Sequence, residues 1–133
     1  VNGADVDAVE TIKEMTGGGV DYSFEAIGLK ATVEQAWKIL DVGGTATVIG
    51  MMPFGVSVEI PGYEIFMQEK TLKGSMMGSN QFRTDMPRFI DMYLDGRLLL
   101  DEMVSEHLPL DRINDGYASM QRGENARTVV DFE

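Results

Sequence analysis

The chain has 133 residues, 44% of them hydrophobic, and a formal net charge of −11 at pH 7, enough for one domain with a core of its own. That acidity, with a sequence pI near 4.4, argues against nucleic acid and anionic membrane surfaces as partners, because neither attracts a negative surface. With no cysteine and a single histidine, His107, the chain has no disulfide framework, thiolate nucleophile or zinc-ligand set; no apolar run nears the ~20 residues of a membrane span, so a soluble cytoplasmic protein is the expectation.

In chain order, Val6, Val9, Ile12 and Met15 recur between Asp5, read as an N-cap, and Gly17-Gly18-Gly19, which predicts a short amphipathic helix. Residues 20–27 read as the first strand, and the stretch 20–28 (VDYSFEAIG) closes on glycine. Thr32 with Gln35 has the form of a capping box, Val33, Ala36, Trp37 and Leu40 share the helical face that follows, and Gly43-Gly44 is expected to end that helix. The stretch 43–53 (GGTATVIGMMP) then reads as a buried parallel strand stopped at Gly50, in the middle of a small sheet. Val56, Val58 and Ile60 alternate with Ser57 and Glu59, predicting a short half-buried strand open to pairing with another chain. A helical turn over 63–67 leads to a third parallel strand over 72–76.

The strongest helical pattern comes next. Met86, Phe89, Ile90, Tyr93 and Leu94 share a face, with Thr84 or Asp85 as cap, Pro87 in the first turn and Gly96 past the end. A strand over 103–108 is stopped by Pro109. Asp111 is read as the cap of a last helix that carries Ile113, Tyr117 and Met120 and is closed by Gly123, and 127–132 form the final strand. This alternation of strands and helices is the rhythm of βαβ units and a parallel sheet.

In open α/β sheets, ligands lie across the carboxyl ends of the strands. Glycine there opens the main-chain N–H and C=O groups to a carboxamide, which makes Gly28, Gly50 and Gly74 candidates, with tight strand-to-helix turns as the competing reason. Arg127, at the start of a strand in an acidic chain, could meet a phosphate, but composition alone favours an ordinary surface arginine. His107 reads as a partly buried structural histidine. Glu25, in a strand otherwise apolar, reads as an edge-facing charge rather than a perturbed carboxylate. Most of the ten methionines fall at core spacings, but Met51, Met76 and Met77 sit where a flat ring needs an apolar wall. A G-x-G-x-x-G fingerprint with an acidic residue about 20 positions on is missing, so a whole dinucleotide is not bound by this chain.

Read together, GGVDYSFEAIG (18–28), VIGMMP (48–53), TLKGSMMGS (71–79) and EHLPLDRINDGYASMQRGENARTVV (106–130) resemble the carboxyl-terminal part of a zinc-dependent alcohol dehydrogenase of the medium-chain dehydrogenase/reductase family, in matching order over nearly the whole chain. The resemblance implies an oxidoreductase that moves hydride between an alcohol and NAD. It implies a partial Rossmann-like three-layer αβα fold with parallel strands, the fourth to sixth of six, plus a carboxyl-terminal strand-helix-strand segment, all in one domain over 1–133. Zinc ligands, proton relay and substrate pocket belong, by the same likeness, to a catalytic region missing from this chain. Carried over position by position, the nicotinamide contacts fall on Ile27 and Gly28, on Ile49, Gly50 and Met51, and on Ser75, Met76 and Met77, with Arg127 reaching the pyrophosphate. Met77 stands where some relatives have a phenyl-bearing residue, and Leu29 where some carry an arginine near the adenosine. The chain starts at Val1 without an initiator methionine and reads as a piece of a longer enzyme, not competent alone. The competing reading is a non-catalytic self-association module, and the exposed strand edges predict a homodimer in either case.

Overall fold

A computed structural model describes residues 1–132, which form two compact units, 1–80 and 81–132. In the first unit α1 (Ala8–Thr16) is capped by Asp7, whose Oδ1 accepts from the N–H groups of Val9 and Glu10, so the cap lies two residues beyond the expected Asp5. The helix leaves through Gly17 at φ 74°, a left-handed exit that favours glycine. The parallel sheet of this unit has the order β1 (Val20–Glu25), β2 (Leu40–Val48), β3 (Thr71–Gly74), which puts β2 in the middle as expected.

Between β1 and β2 runs α2 (Lys30–Lys38), and Val33, Ala36 and Trp37 are its buried face. Its N-cap is Leu29, which has no side-chain acceptor, and the expected capping box at Thr32 and Gln35 does not form because Thr32 lies inside the first turn. Nor do Gly43 and Gly44 end the helix. The chain enters β2 at Leu40, two residues past Lys38, and the glycines make a bulge there: Val20 pairs with Leu40 but Tyr22 pairs with Thr45. Gly43 has φ 76°, and a Cβ on Gly44 would lie 3.0 Å from the carbonyl oxygens of Asp41 and Val20.

The core is small: Trp37, Leu40 and Ala46, with Val20 and Ile60 against them. The indole N–H of Trp37 donates to Glu64 Oε2 at 2.8 Å, and the buried Lys70 ammonium sits 3.6 Å from the same oxygen and 5.7 Å from the indole ring centre. This links α2 to α3 (Gly62–Met67) and to the residue that leads into β3. The expected strand over 56–60 is not one: the segment has no ladder partner among the described residues. Its alternation reflects one-sided burial, with Val58 and Ile60 half-buried and Val56, Ser57 and Glu59 exposed. Strands β1 and β3 are shorter than expected, ending at Glu25 and Gly74 rather than at 27 and 76.

The second unit opens with α4 (Phe82–Leu94), whose cap is Gln81 and not Thr84 or Asp85. Asp85 Oδ2 accepts from the Gln81 N–H, so an acidic side chain one turn inside satisfies the helix start. Pro87 therefore falls in the second turn. The chain leaves through Gly96 at φ 68°. Strands β4 (Glu106–Pro109) and β5 (Thr128–Asp131) pair in parallel as a separate sheet, joined by α5 (Ile113–Arg122), and both start later than expected. Asp111 lies in a 3₁₀ turn and does not cap α5; Arg112 is at that position, and Gly123 closes the helix at φ 70°.

None of the ten methionines is buried, which corrects the expectation that packing accounts for most of them. The apolar face of α4 stands open in the same way: Met86, Phe89, Ile90, Tyr93 and Leu94 are all exposed. No helix among the described residues is long and apolar enough to cross a membrane.

Candidate functional site

Three strands of the first unit end level. Glu25, Val48 and Gly74 are partners in register, so residues 26–28, 49–51 and 75–77 leave the sheet along one rim. These are the nicotinamide positions that the family likeness implied, and the sheet brings all three segments together.

Glu25 organises two of them. Its side chain is buried, and Oε1 accepts from the N–H of Ile27 at 2.9 Å, the N–H of Gly28 at 2.8 Å and the hydroxyl of Thr32 at 2.7 Å. Its carbonyl oxygen accepts from the N–H groups of Ile49 at 2.7 Å and Gly50 at 3.1 Å. Burial pushes the Glu25 carboxyl up, but the hydrogen bonds from Thr32 and from the N–H groups of Gly28, Ile27 and Leu29 outweigh it, leaving the group below its ordinary value. Glu25 is therefore a perturbed, buried carboxylate and not the edge-facing charge expected of it. Its signal in the sequence was an acid at the last position of the first strand, seven residues ahead of a threonine at the start of the next helix.

The glycines at the rim differ in their reasons. A Cβ on Gly28, at φ 87°, would lie 2.5 Å from the carbonyl oxygen of Met51, and a Cβ on Gly50 would collide with the Gly28 nitrogen. At these two positions the absent side chain makes room for the other backbone. A Cβ on Gly74 would meet nothing within 4 Å, so there is room for a side chain at that position.

Because the N–H groups of Ile27, Gly28, Ile49 and Gly50 are committed to Glu25, and that of Ser75 to the Val48 carbonyl at 2.8 Å, the main chain of these residues offers a ligand acceptors only. No donor among the described residues bonds the carbonyl oxygens of Gly28, Gly50 or Met51. The surrounding side chains are apolar and bare: Ile27 is 70% exposed, Met51 91%, Met76 85% and Met77 61%. Past β3 the backbone takes three left-handed residues in a row, Met77 (φ 49°), Gly78 (φ 72°) and Ser79 (φ 55°). The Ser75 and Ser79 hydroxyls bridge this turn at 3.0 Å, and the Asn80 amide nitrogen donates to the Met77 carbonyl at 2.6 Å.

Arg127 lies in the second unit, just ahead of β5. It is exposed, its carbonyl accepts from the Ser105 N–H at 2.8 Å, and among the described residues its guanidinium has no carboxylate within 4.0 Å, unlike Arg112 and Arg122. His107 is exposed rather than partly buried, and Asp131 Oδ2 lies 3.1 Å from its Nδ1. The two flank an open cleft of about 640 Å³ together with Leu110, Asp111 and Phe132. Among its lining residues that cleft has neither a buried polar side chain nor an activated nucleophile.

The model of one protein family, described as zinc-binding dehydrogenase, matches residues 1–94. Among curated relatives the chain is 34% identical over 116 residues to an alcohol dehydrogenase class-3 of Cereibacter sphaeroides and 34% identical over 114 residues to an S-(hydroxymethyl)glutathione dehydrogenase of Paracoccus denitrificans. These alignments cover 86% and 85% of this chain but 31% and 30% of the relatives, so the chain spans about a third of their length. Among solved structures, an alcohol dehydrogenase zinc-binding domain protein of Burkholderia ambifaria superposes over 100% of this chain and 36% of its own, with TM-score 0.85 and 31% identity. A putative zinc-binding dehydrogenase of Sinorhizobium meliloti, solved with NADP, covers 86% of this chain and 33% of its own at TM-score 0.75 and 30% identity. The parallel α/β arrangement is thus the Rossmann-like one of these enzymes, and the chain belongs to the zinc-binding dehydrogenase family, among the alcohol dehydrogenases of medium-chain type.

Proposed function

We infer that this chain is the nicotinamide half of the cofactor site of an alcohol dehydrogenase that moves hydride between an alcohol and NAD, and that it is not competent alone. The observation that supports this best is the rim itself: level strand ends, carbonyls without partners and an apolar wall of Ile27, Met51, Met76 and Met77. A carboxamide NH₂ needs acceptors, and the rim has them; the carboxamide oxygen needs a donor, for which the N–H groups of Met51 and Met77 are assigned. An apolar wall suits a flat ring. Arg127, free of carboxylates among the described residues, is assigned to the pyrophosphate. Bound there, the nicotinamide supplies the carbon that exchanges hydride with the substrate.

Zinc does not fit these residues. No cluster of three or more His, Cys, Asp or Glu side chains among those described is placed to hold a metal, so its ligands are assigned to sequence outside this chain. The exposed apolar faces of α4 and of β1, where Tyr22 and Phe24 stand bare, agree with a piece whose partner surfaces lie elsewhere.

The test compares the protein as its gene encodes it with the 133-residue chain. The natural product is expected to exceed 14.7 kDa in intact mass and to oxidise alcohols with zinc and NAD, while the chain alone gives no turnover. Zinc- and NAD-dependent turnover by the chain alone would refute the half-site reading. The bare Tyr22 and Phe24 also favour a second reading, a self-associating module, in which a natural product of this size sediments as a dimer without turnover.

A further inference from the structure

We propose that Glu25 is the positioning residue of the nicotinamide half-site, one side chain and one carbonyl that together fix the spacing of two of its three backbone segments. The inference rests on the half-site reading above and names what holds that site in shape. The Glu25 side chain takes the N–H groups of Ile27 and Gly28, and its main-chain oxygen takes those of Ile49 and Gly50. Four donors at the rim are thereby turned inward, and the first two segments present a ligand with acceptors. Thr32, on the first turn of α2, holds the same carboxylate oxygen at 2.7 Å and so ties the helix to the rim.

The second oxygen, Oε2, is shut from solvent and has no hydrogen-bond partner among the described residues, and a Cβ on Gly50 would come within 2.6 Å of it. All three of the side chain's hydrogen bonds fall on Oε1, so the carboxylate organises the backbone on that side alone. Its placement is explained by what it does to the backbone. Gly28 and Gly50 complete the device, since their lack of side chains is what lets the two segments touch.

The experiment measures two ligands on the full-length protein by calorimetry. One is whichever of NADH and NADPH the unaltered protein prefers, and the other is the matching ADP-ribose, which lacks the nicotinamide. Their affinity ratio isolates the nicotinamide contribution. Glu25→Gln keeps one acceptor oxygen and the side-chain shape; Glu25→Met keeps neither. The ratio is expected to fall about threefold in Glu25→Gln and tenfold or more in Glu25→Met, while ADP-ribose affinity stays within twofold in both. Amide hydrogen exchange of Ile27 and Gly28 should speed up at least tenfold, with that of Ala46 unchanged. If both ligands weaken equally in Glu25→Gln, or the ratio does not move, Glu25 is structural only and the proposal is overturned; should Glu25→Met fail to fold, the Gln variant still decides. A different result, an unaltered protein that binds the two ligands equally, removes the half-site reading itself and the proposal with it.

Discussion

Gly28 and Gly50 press so closely together that neither has room for a methyl group, whereas Gly74 and Gly78, one strand over, have nothing within 4 Å of where a Cβ would sit. The exits of β1 and β2 are fastened to each other by backbone contact and by Glu25. The exit of β3 is tied by the Ser75 N–H to β2, by a pair of serine hydroxyls and by the Asn80 side chain. Folding therefore sets one side of the rim, while the other, with its left-handed residues Met77 and Ser79 and its bare methionines, keeps the latitude to adjust. The difference has a physical root: a buried charge with many donors is costly to move, and an exposed turn is not.

That contrast can be broken most strongly at Gly50. Gly50→Ala places a methyl group against the Gly28 nitrogen and Glu25 Oε2, so urea unfolding should show a loss of about 3 kcal/mol, the upper range for overpacking. Glu25→Gln should cost about 2 kcal/mol, as expected for hydrogen bonds to a charged acceptor. The same variant carries a pH signature. The folded Glu25 carboxyl lies below its ordinary value of 4.5, so its contribution is complete above that pH and is lost as pH falls through the lowered value. The unaltered protein should lose stability more steeply in acid than Glu25→Gln; Glu59 and Glu124, also lowered by Lys30 and Arg122, are shared by both and cancel. Thr32→Val removes one hydroxyl from the carboxylate and should cost about 1 kcal/mol. At the other exit, Gly74→Ala should change stability by less than about 0.5 kcal/mol, since the site is open and its φ is not left-handed. Equal losses at Gly50 and Gly74 would erase the contrast.

The sheet was legible because each of its strands ends at a glycine or within three residues of one, and the middle place of β2 followed from its β-branched and small residues. Apolar spacing also identified the faces of α2 and α4. It did not identify the helix ends: Asp5, Thr32, Thr84, Asp85 and Asp111 all look like caps, but α1 is capped by Asp7, the start of α4 is met by Asp85 from one turn inside, and α2 and α5 begin without a side-chain cap. The segment 56–60 misled because period-two alternation reports one-sided burial, and hydrogen bonding to a neighbour is a separate requirement. Glu25 was the largest miss. Its partners sit two, three and seven residues ahead across a strand-to-helix turn, a spacing that no helix or strand period contains. Gly28 and Gly50 were singled out for ligand access, with tight turns as the competing reason; what the structure gives for glycine there is backbone contact.

The most direct test of the half-site is a titration of the ¹⁵N-labelled full-length protein with reduced nicotinamide mononucleotide, followed by amide shifts, with AMP as the control. Shifts confined to the rim, at Gly28, Ile49–Met51 and Ser75–Met77, and absent with AMP, are the expected result. Shifts of the same size with both ligands, or a rim that stays silent while the His107 cleft responds, would contradict it.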